Sequence, residues 1–396
     1  MKLAYYINYI NHHRIAFADE IYKLLGDSFV LIATMPRNDM ELKGGVDYSS
    51  RPYCLMAAET DEGHELAQRY AREAEICSFG AGAMEYAIER AKNGRADGVV
   101  FEAGERWLKR GLINCLSPRL IKWWWVYQTV YKKHSFYKLC SSAYAASDHY
   151  KMLTYRDRCY KWGYFTRVDE DFDIEASISK TSTSELTSIM WCGRFLKWKH
   201  PELPILMAAR LKEKGYRFII DIYGGECNEA KSESFYSTQK LFSLIKILEV
   251  QNYVNLKGSL PNEEILKAMG EHRIFLFTSD RQEGWGAVAN ESMSRGCALV
   301  ASNATGSAPF LVRDGINGFL FNSCDVDSLT EKVEWLLTHP KELADIQRQA
   351  FYDMVTIWSP KIAAANFLQL AEDLKSGKES SIKVGPCSKA LPSLPF

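Results

Sequence analysis

The stretch from Thr278 to Val300 reads TSDRQEGWGAVANESMSRGCALV. It places two acids, Glu283 and Glu291, around the start of a short helix of small residues. Glu283 falls in the loop before that helix and Glu291 on its second turn, so both can face one ligand. A carboxylate is a strong, directional acceptor for a hydroxyl group. Gly284 and Gly286, either side of Trp285, let the backbone approach a ligand without a Cβ in the way. Free N–H groups near Gly286 and Ala287, at the helix start, form an anion site that the helix dipole strengthens. The arrangement suits two hydroxyl-bearing rings flanking a diphosphate. Alone, the spacing of the acids also fits a helix with an acidic first turn and a solvated glutamate. The order strand, Glu-Gly-Trp-Gly, helix, Glu, Gly, strand favours binding.

Other groups able to do chemistry lie elsewhere. Gly193, Arg194, Lys197 and Lys199 follow an apolar run, where they form either an anion site or a solvated basic loop. His12 and His13 follow the first apolar run. One of them is read as touching a second substrate or assisting a proton, with plain surface histidines the alternative. Glu102, Glu105 and Arg106 follow the run Gly98 to Phe101 and are read as facing the same edge. From Arg106 to Lys138, Trp107, Trp123, Trp124, Trp125 and several tyrosines alternate with Lys and Arg. That mixture suits an anionic membrane surface as well as a helix whose aromatics are core. Asp169-Glu170-Asp171 and Asp325-Val326-Asp327 have an acidic spacing known from metal sites. The first lies in a polar stretch and the second leads into a helix that capping explains, so no metal site is assigned.

These groups need elements to position them. Strand-like runs at Leu3 to Ile7, Phe29 to Ala33 and Gly98 to Phe101 alternate with helical stretches. The second half alternates more clearly, with strands at Ile189–Cys192, Arg217–Tyr223, Tyr253–Lys257, Ile274–Thr278, Ala298–Ser302 and Gly318–Phe321. Alternation of this kind implies parallel sheets with crossover helices. Loops bearing Gly, Ser or charge follow the strands, at the edge where open α/β sheets bind ligands. Residues 1–172 are read as one Rossmann-like domain, 173–188 as a Ser/Thr-rich linker and 189–358 as a second Rossmann-like domain. A terminal helix spans 359–376 and could cross back to the first domain, and 377–396 is read as a disordered tail.

The 396 residues suffice for about two domains, and 47% are hydrophobic. Lys plus Arg equals Asp plus Glu, 49 each. With no global field and no nucleic-acid motif, no nucleic-acid partner is expected. The ten cysteines form no C-x-x-C pair. Free thiols, the absence of an apolar leader and the absence of a membrane-length run point to a cytoplasmic protein, or one peripheral on the cytoplasmic face of the inner membrane.

The segment Glu283-Gly284-Trp285-Gly286 through Glu291, with Gly296-Cys297-Ala298-Leu299-Val300-Ala301-Ser302 after it, resembles the retaining glycosyltransferases of the GT-B superfamily, family GT4. Cys192-Gly193-Arg194 through Lys199 resembles that family's G-R-[LF]-x-x-x-K segment, and Arg313 through Phe321 its later Gly-containing strand. Ala298 stands where the family has proline, Ser307 where it has a second glycine, and Phe310 where it commonly has an acid.

The resemblance spans about Ile189 to Leu337. It implies an α/β GT-B fold, two Rossmann-like domains with parallel sheets facing across a cleft. It further implies sugar transfer from a nucleotide-diphosphate sugar with retention of anomeric configuration and no required cofactor or metal. By resemblance, Arg194 and Lys199 bind the donor diphosphate, Glu283 the transferred sugar and Glu291 the ribose. Gly193, Gly224, Ser259 and Leu260 line the donor turns, with the last two at the nucleobase. The first half usually binds the acceptor, which makes His12, Glu102 and Arg106 acceptor candidates and His13 a candidate catalytic group. A glycan or lipid-linked acceptor, in bacterial surface polysaccharide or glycolipid synthesis, is the family-level implication. A nucleotide-sugar epimerase of the same superfamily and a non-catalytic binding protein on this fold are the alternatives.

Overall fold

The computed structural model describes residues 1–10, 12–36, 48–226 and 236–392. The chain divides into two compact units, Met1–Arg167 with the segment from Ile357 onward, and Val168–Thr356.

The first unit runs β1 (Leu3–Ile7), α1 (His12–Leu25), β2 (Phe29–Ala33), β3 (Cys54–Met56), α2 (Asp61–Glu73), β4 (Ile76–Phe79), α3 (Met84–Asn93), β5 (Val99–Gly104), α4 (Pro118–Thr129), β6 (Phe136–Cys140), α5 (Ala145–Lys151) and β7 (Cys159–Lys161). The second runs α6 (Ile174–Ser182), β8 (Thr187–Cys192), α7 (Leu203–Glu213), β9 (Phe218–Tyr223), α8 (Thr238–Ile247), β10 (Val254–Gly258), α9 (Asn262–Met269), β11 (Ile274–Phe277), α10 (Val288–Ser294), β12 (Ala298–Ser302), α11 (Ala308–Leu311), β13 (Gly318–Phe321), α12 (Val326–Thr338) and α13 (Pro340–Thr356). The last helix, α14 (Pro360–Lys375), belongs to the first unit.

Both sheets are parallel throughout, in the orders β3-β2-β1-β4-β5-β6-β7 and β10-β9-β8-β11-β12-β13. This is the α/β architecture the sequence implied. The central strands β1 and β11 are buried at every position, as runs of continuous apolar residues in a doubly covered sheet should be. In each unit the chain reverses its direction of growth once, between β1 and β4 and between β8 and β11. Side chains at the carboxyl ends of those strands therefore border a crevice where ligands can enter.

Two expected boundaries are corrected. Residues 173–188 are not a linker. Asp173 caps α6 by accepting from the Ala176 N–H at 2.9 Å, and Ile174 and Ile178 bury one face against Phe351 of α13. The abundant Ser and Thr of this stretch hid that pair of apolar residues four apart. Nor is the chain from 377 a disordered tail as far as Pro392. It adds backbone hydrogen bonds to β7, from Lys161 N–H to Ser388 O at 2.8 Å and from Ala390 N–H to Cys159 O at 3.0 Å, and it buries Cys387 and Ser388. Before it, α14 packs on α1 and inserts Phe367 among Tyr5, Phe17, Phe101 and Trp162.

Candidate functional site

In the second unit the glycine turns come together at adjacent strand ends. Gly193, after β8, donates to Tyr223 O of β9 at 3.0 Å, and Gly224 donates to Gly258 O at 2.8 Å. Gly224 has φ +135°, and a Cβ there would sit 1.8 Å from Gly193 O. Only glycine fits that crossing of two backbones. Ser259 lies beside Gly225, its Oγ 3.0 Å from where a Cβ would be.

The loop after β8 and the loop after β11 are tied to each other. Asp280 donates its N–H to Trp198 O at 2.8 Å, and Thr278 Oγ1 donates to Lys199 O at 2.7 Å while accepting from Trp191 Nε1 at 2.8 Å. This lacing brings Lys199 Nζ to 2.6 Å from Glu283 Oε2, with the two side chains only 14% and 12% exposed. Ser279 Oγ donates to the same carboxylate oxygen at 3.2 Å. Gly193 leaves room for the Lys199 stem, whose Cδ lies 3.4 Å from the position of an added Cβ. Arg194 is exposed and has no side-chain partner among the described residues.

Gly286 has φ +85° and packs on Phe277, so any Cβ there would strike the ring. Trp285 is wholly buried and donates to Asn290 Oδ1 at 2.8 Å. It thus anchors the turn from inside, a structural role, while Gly284, Gly286 and Ala287 carry the backbone into α10. Glu291 lies buried on α10, and burial pushes its carboxyl up to about 7. Cys192 senses both neighbours: burial and then the Glu291 charge raise its thiol to about 12, with Lys199 opposing. The charges of Glu291 and Lys199 thus both reach Cys192 at the end of β8.

A group the sequence did not reveal borders this spot. His200, in the left-handed region at φ +52°, places Nδ1 2.8 Å from Glu202 Oε1 and Nε2 3.8 Å from Asp280 Oδ2. Burial opposes protonation, but Asp280 and Glu202 outweigh it and lift the imidazole to about 10. Glu202 lies two residues on in the same loop, but Asp280 comes from the loop after β11, so the sequence alone does not show the pairing. Leu260 is exposed beside the β10 turn. Asp325 caps α12 by accepting from the N–H groups of Asp327 and Ser328, the role its spacing suggested.

In the first unit the backbone of His12 opens α1, and its side chain lies outside the described residues. His13 stacks on Tyr164, ring centroids 6.1 Å apart. A cavity of about 420 Å³ opens at the carboxyl ends of β1, β4, β5 and β6, lined in part by Asn8, Glu102, Arg106, Trp107 and Tyr164. Glu102 reaches it paired to the fully buried Lys138 at 2.5 Å. Arg106 lines it too, but its guanidinium is spent on a bidentate pair with the buried Asp148, at 3.1 and 3.2 Å. Its charge is thereby matched within the fold while it still borders the cavity. The aromatics of 106–138 divide: Trp107 is core, Trp123 and Trp124 pack against it, and Trp125 is 62% exposed.

Residues 174–352 match the family described as glycosyl transferases group 1. That match covers nearly all of the second unit. D-inositol 3-phosphate glycosyltransferase of Thermobifida fusca is 26% identical over 157 residues, 39% of this chain and 35% of that protein, so the match spans about a third of the relative's length. Among solved structures, a glycosyltransferase of Rickettsia africae superimposes with a TM-score of 0.67 at 15% identity, covering 94% of this chain and 98% of that one. Anabaena HepE in complex with UDP does so with 0.66 at 15% identity, covering 95% and 100%. At such identities the likeness establishes the fold, that of GT-B transferases.

Within the matched residues, the structure gathers Gly193, Lys199, Gly224, Ser259, Glu283 and Glu291 at the carboxyl edge. No helix among the described residues is long and apolar enough to cross a membrane.

Proposed function

We propose that the protein is a glycosyltransferase that takes a sugar from a nucleotide-diphosphate sugar held by the second unit and passes it, with retention, to an acceptor held by the first. One observation carries the reading. Lys199 and Glu283, 2.6 Å apart and laced between the loops after β8 and β11, stand at the reversal point of a parallel sheet whose glycine turns leave open backbone there.

In the transfer, the bond from the anomeric carbon to the diphosphate oxygen breaks and the acceptor hydroxyl oxygen bonds to that carbon on the same face. The acceptor's proton leaves on the released diphosphate. Charge gathers on the leaving diphosphate, and Arg194, Lys199 and the N–H groups near Gly286 and Ala287 offset it, the work a metal ion does in other transferases. Glu283 holds the transferred sugar and Glu291 the ribose. UDP, the nucleotide named in the HepE complex, is the first base to try.

Incubating the protein with nucleotide sugars and candidate acceptors, then reading the product's anomeric configuration by NMR, tests this. Retained configuration, with activity surviving a chelator, is expected. An inverted product refutes the mechanism, and free epimer formed without acceptor refutes transfer.

A glycan or lipid-linked acceptor is favoured by the surface of the first unit. Leu112 and Ile113 are 70% and 69% exposed, with Leu116, Ile121 and Trp125 beside them in sequence. Ile121 and Trp125 share one face of α4, four residues apart. The other face is tied down by Trp124 Nε1 donating to Met152 O at 3.0 Å. Arg110, Lys122, Lys132 and Lys133 surround these residues in the sequence. An apolar tip with a basic surround suits an anionic membrane. Co-sedimentation with anionic vesicles should be lost in Ile121→Asp/Trp125→Asp. Absence of wild-type binding at low salt rules the docking out.

A further inference from the structure

We propose that the cavity of the first unit binds a phosphate group carried by the sugar acceptor. The inference rests on the reading of this unit as the acceptor side and names the chemistry of what it accepts.

Among the cations that line the cavity, Lys138 is paired to Glu102, Lys109 to Glu105 at 2.5 Å, and Arg106 to Asp148. Two guanidiniums are left with no carboxylate among the described residues. Arg14 lies over the Tyr164 ring at 4.5 Å, and Arg119 over Trp123 at 4.9 Å. Aromatic faces hold them in place without cancelling their charge. The cavity thus carries an excess of positive charge in an otherwise balanced chain.

Two further features point the same way. Ser141, just past β6, lines the cavity with its side chain 1% exposed, and its Oγ has no hydrogen-bond partner. A buried hydroxyl left unmatched costs free energy unless a ligand or water meets it. The ten-residue helix α3 begins in the cavity wall, where Gly80, Ala81, Gly82 and Ala83 lead into Met84. Its N-cap, Ala83, offers no side-chain acceptor, so the first N–H groups stay available to an anion. Gly82, at φ +84°, shapes the turn.

A phosphate matches this set: several acceptor oxygens for amide, hydroxyl and guanidinium donors, and a negative charge for the dipole and the arginines. The tryptophan and tyrosine rings around it cover the apolar faces of the attached sugar. The phosphate can belong to a soluble sugar phosphate or join the sugar to a lipid. Both present the same group.

The test uses the full chain with the donor-side cations removed (Arg194→Ala/Lys199→Ala), so that any phosphate bound is bound elsewhere. Glucose 1-phosphate and glucose are titrated separately, with melting temperature and calorimetry as readouts. Glucose 1-phosphate should bind, and glucose should bind at least about tenfold more weakly. Ser141→Ala and Arg14→Gln should each weaken the phosphate ligand while leaving the melting temperature without ligand and UDP affinity in the wild-type background unchanged. Undecaprenyl phosphate in vesicles supplies the second arm. Competition between it and glucose 1-phosphate assigns the site to a lipid-borne phosphate, and binding of the soluble ligand alone assigns it to a free one. Equal binding of glucose, or phosphate binding that vanishes with Arg194 and Lys199, overturns the proposal. Failure of every nucleotide to bind the wild-type protein, with phosphate binding intact, sinks the glycosyltransferase reading and leaves the anion site standing.

Discussion

The two units share an architecture but present their candidate ligand sites differently. The second builds its site from backbone turns and adjacent loops: Gly193, Gly224, Gly258 and Gly286, with Lys199 and Glu283 hydrogen-bonded as an ion pair. The first builds its cavity from side chains far apart in sequence, such as Arg14, Glu102, Arg119, Lys138 and Ser141. A turn that must let two backbones touch can be met by few residue types, so it writes a readable pattern. A cavity lined by side chains on separate loops can be composed in many ways and writes none.

The sharpest way to break that comparison is Arg106→Ala. The account makes this residue a structural partner of Asp148, so its loss leaves a buried charge unpaired and costs about 3–5 kcal/mol of stability. Chemical denaturation checks it. A stable variant with altered acceptor KM would instead make Arg106 a binding residue.

In the second unit, Lys199→Ala should lower kcat by about 10²–10³ through lost stabilisation of the leaving diphosphate. Acceptor KM should stay put, and steady-state kinetics separates the two effects. Glu291→Ala should act on the other parameter, raising donor KM by about 10–100-fold with a smaller change in kcat. A kcat effect alone would move Glu291 from the ribose to the reacting centre.

The smallest effect is a pH dependence. Burial holds Glu291 near 7 against an ordinary value of 4.5, so the folded protein takes up this proton more readily than the unfolded chain. Its contribution to stability is therefore greatest below 4.5 and falls as pH rises to about 7. The ionised form is the better acceptor for a ribose hydroxyl, so donor kcat/KM should rise through about 7. In Glu291→Gln both inflections should be absent, as a melting series and a pH profile will show.

Legibility from the sequence follows the same division. The strands of the second unit, the helix Pro360–Lys375 and the Glu-Gly-Trp-Gly turn were all readable, because burial on both sheet faces and glycine turns constrain residue type. Trp285 was readable as part of the motif but not as its buried anchor. His200 was hidden because Asp280, which with Glu202 raises its imidazole, reaches it from the separate loop after β11. The stretch 377–392 shows no periodicity because backbone hydrogen bonds to β7 hold it, and those leave no side-chain pattern. Lys138 read only as the last of the basic residues in 106–138, and only the fold shows it buried against Glu102.

The most direct measurement is calorimetric titration of UDP, GDP and ADP into the wild-type protein and into Arg194→Ala/Lys199→Ala. The account predicts that at least one of them binds the wild type and that the double variant loses this binding by about tenfold or more while remaining folded. Equal affinity in both proteins, or no binding of any nucleotide to the wild type, would contradict it.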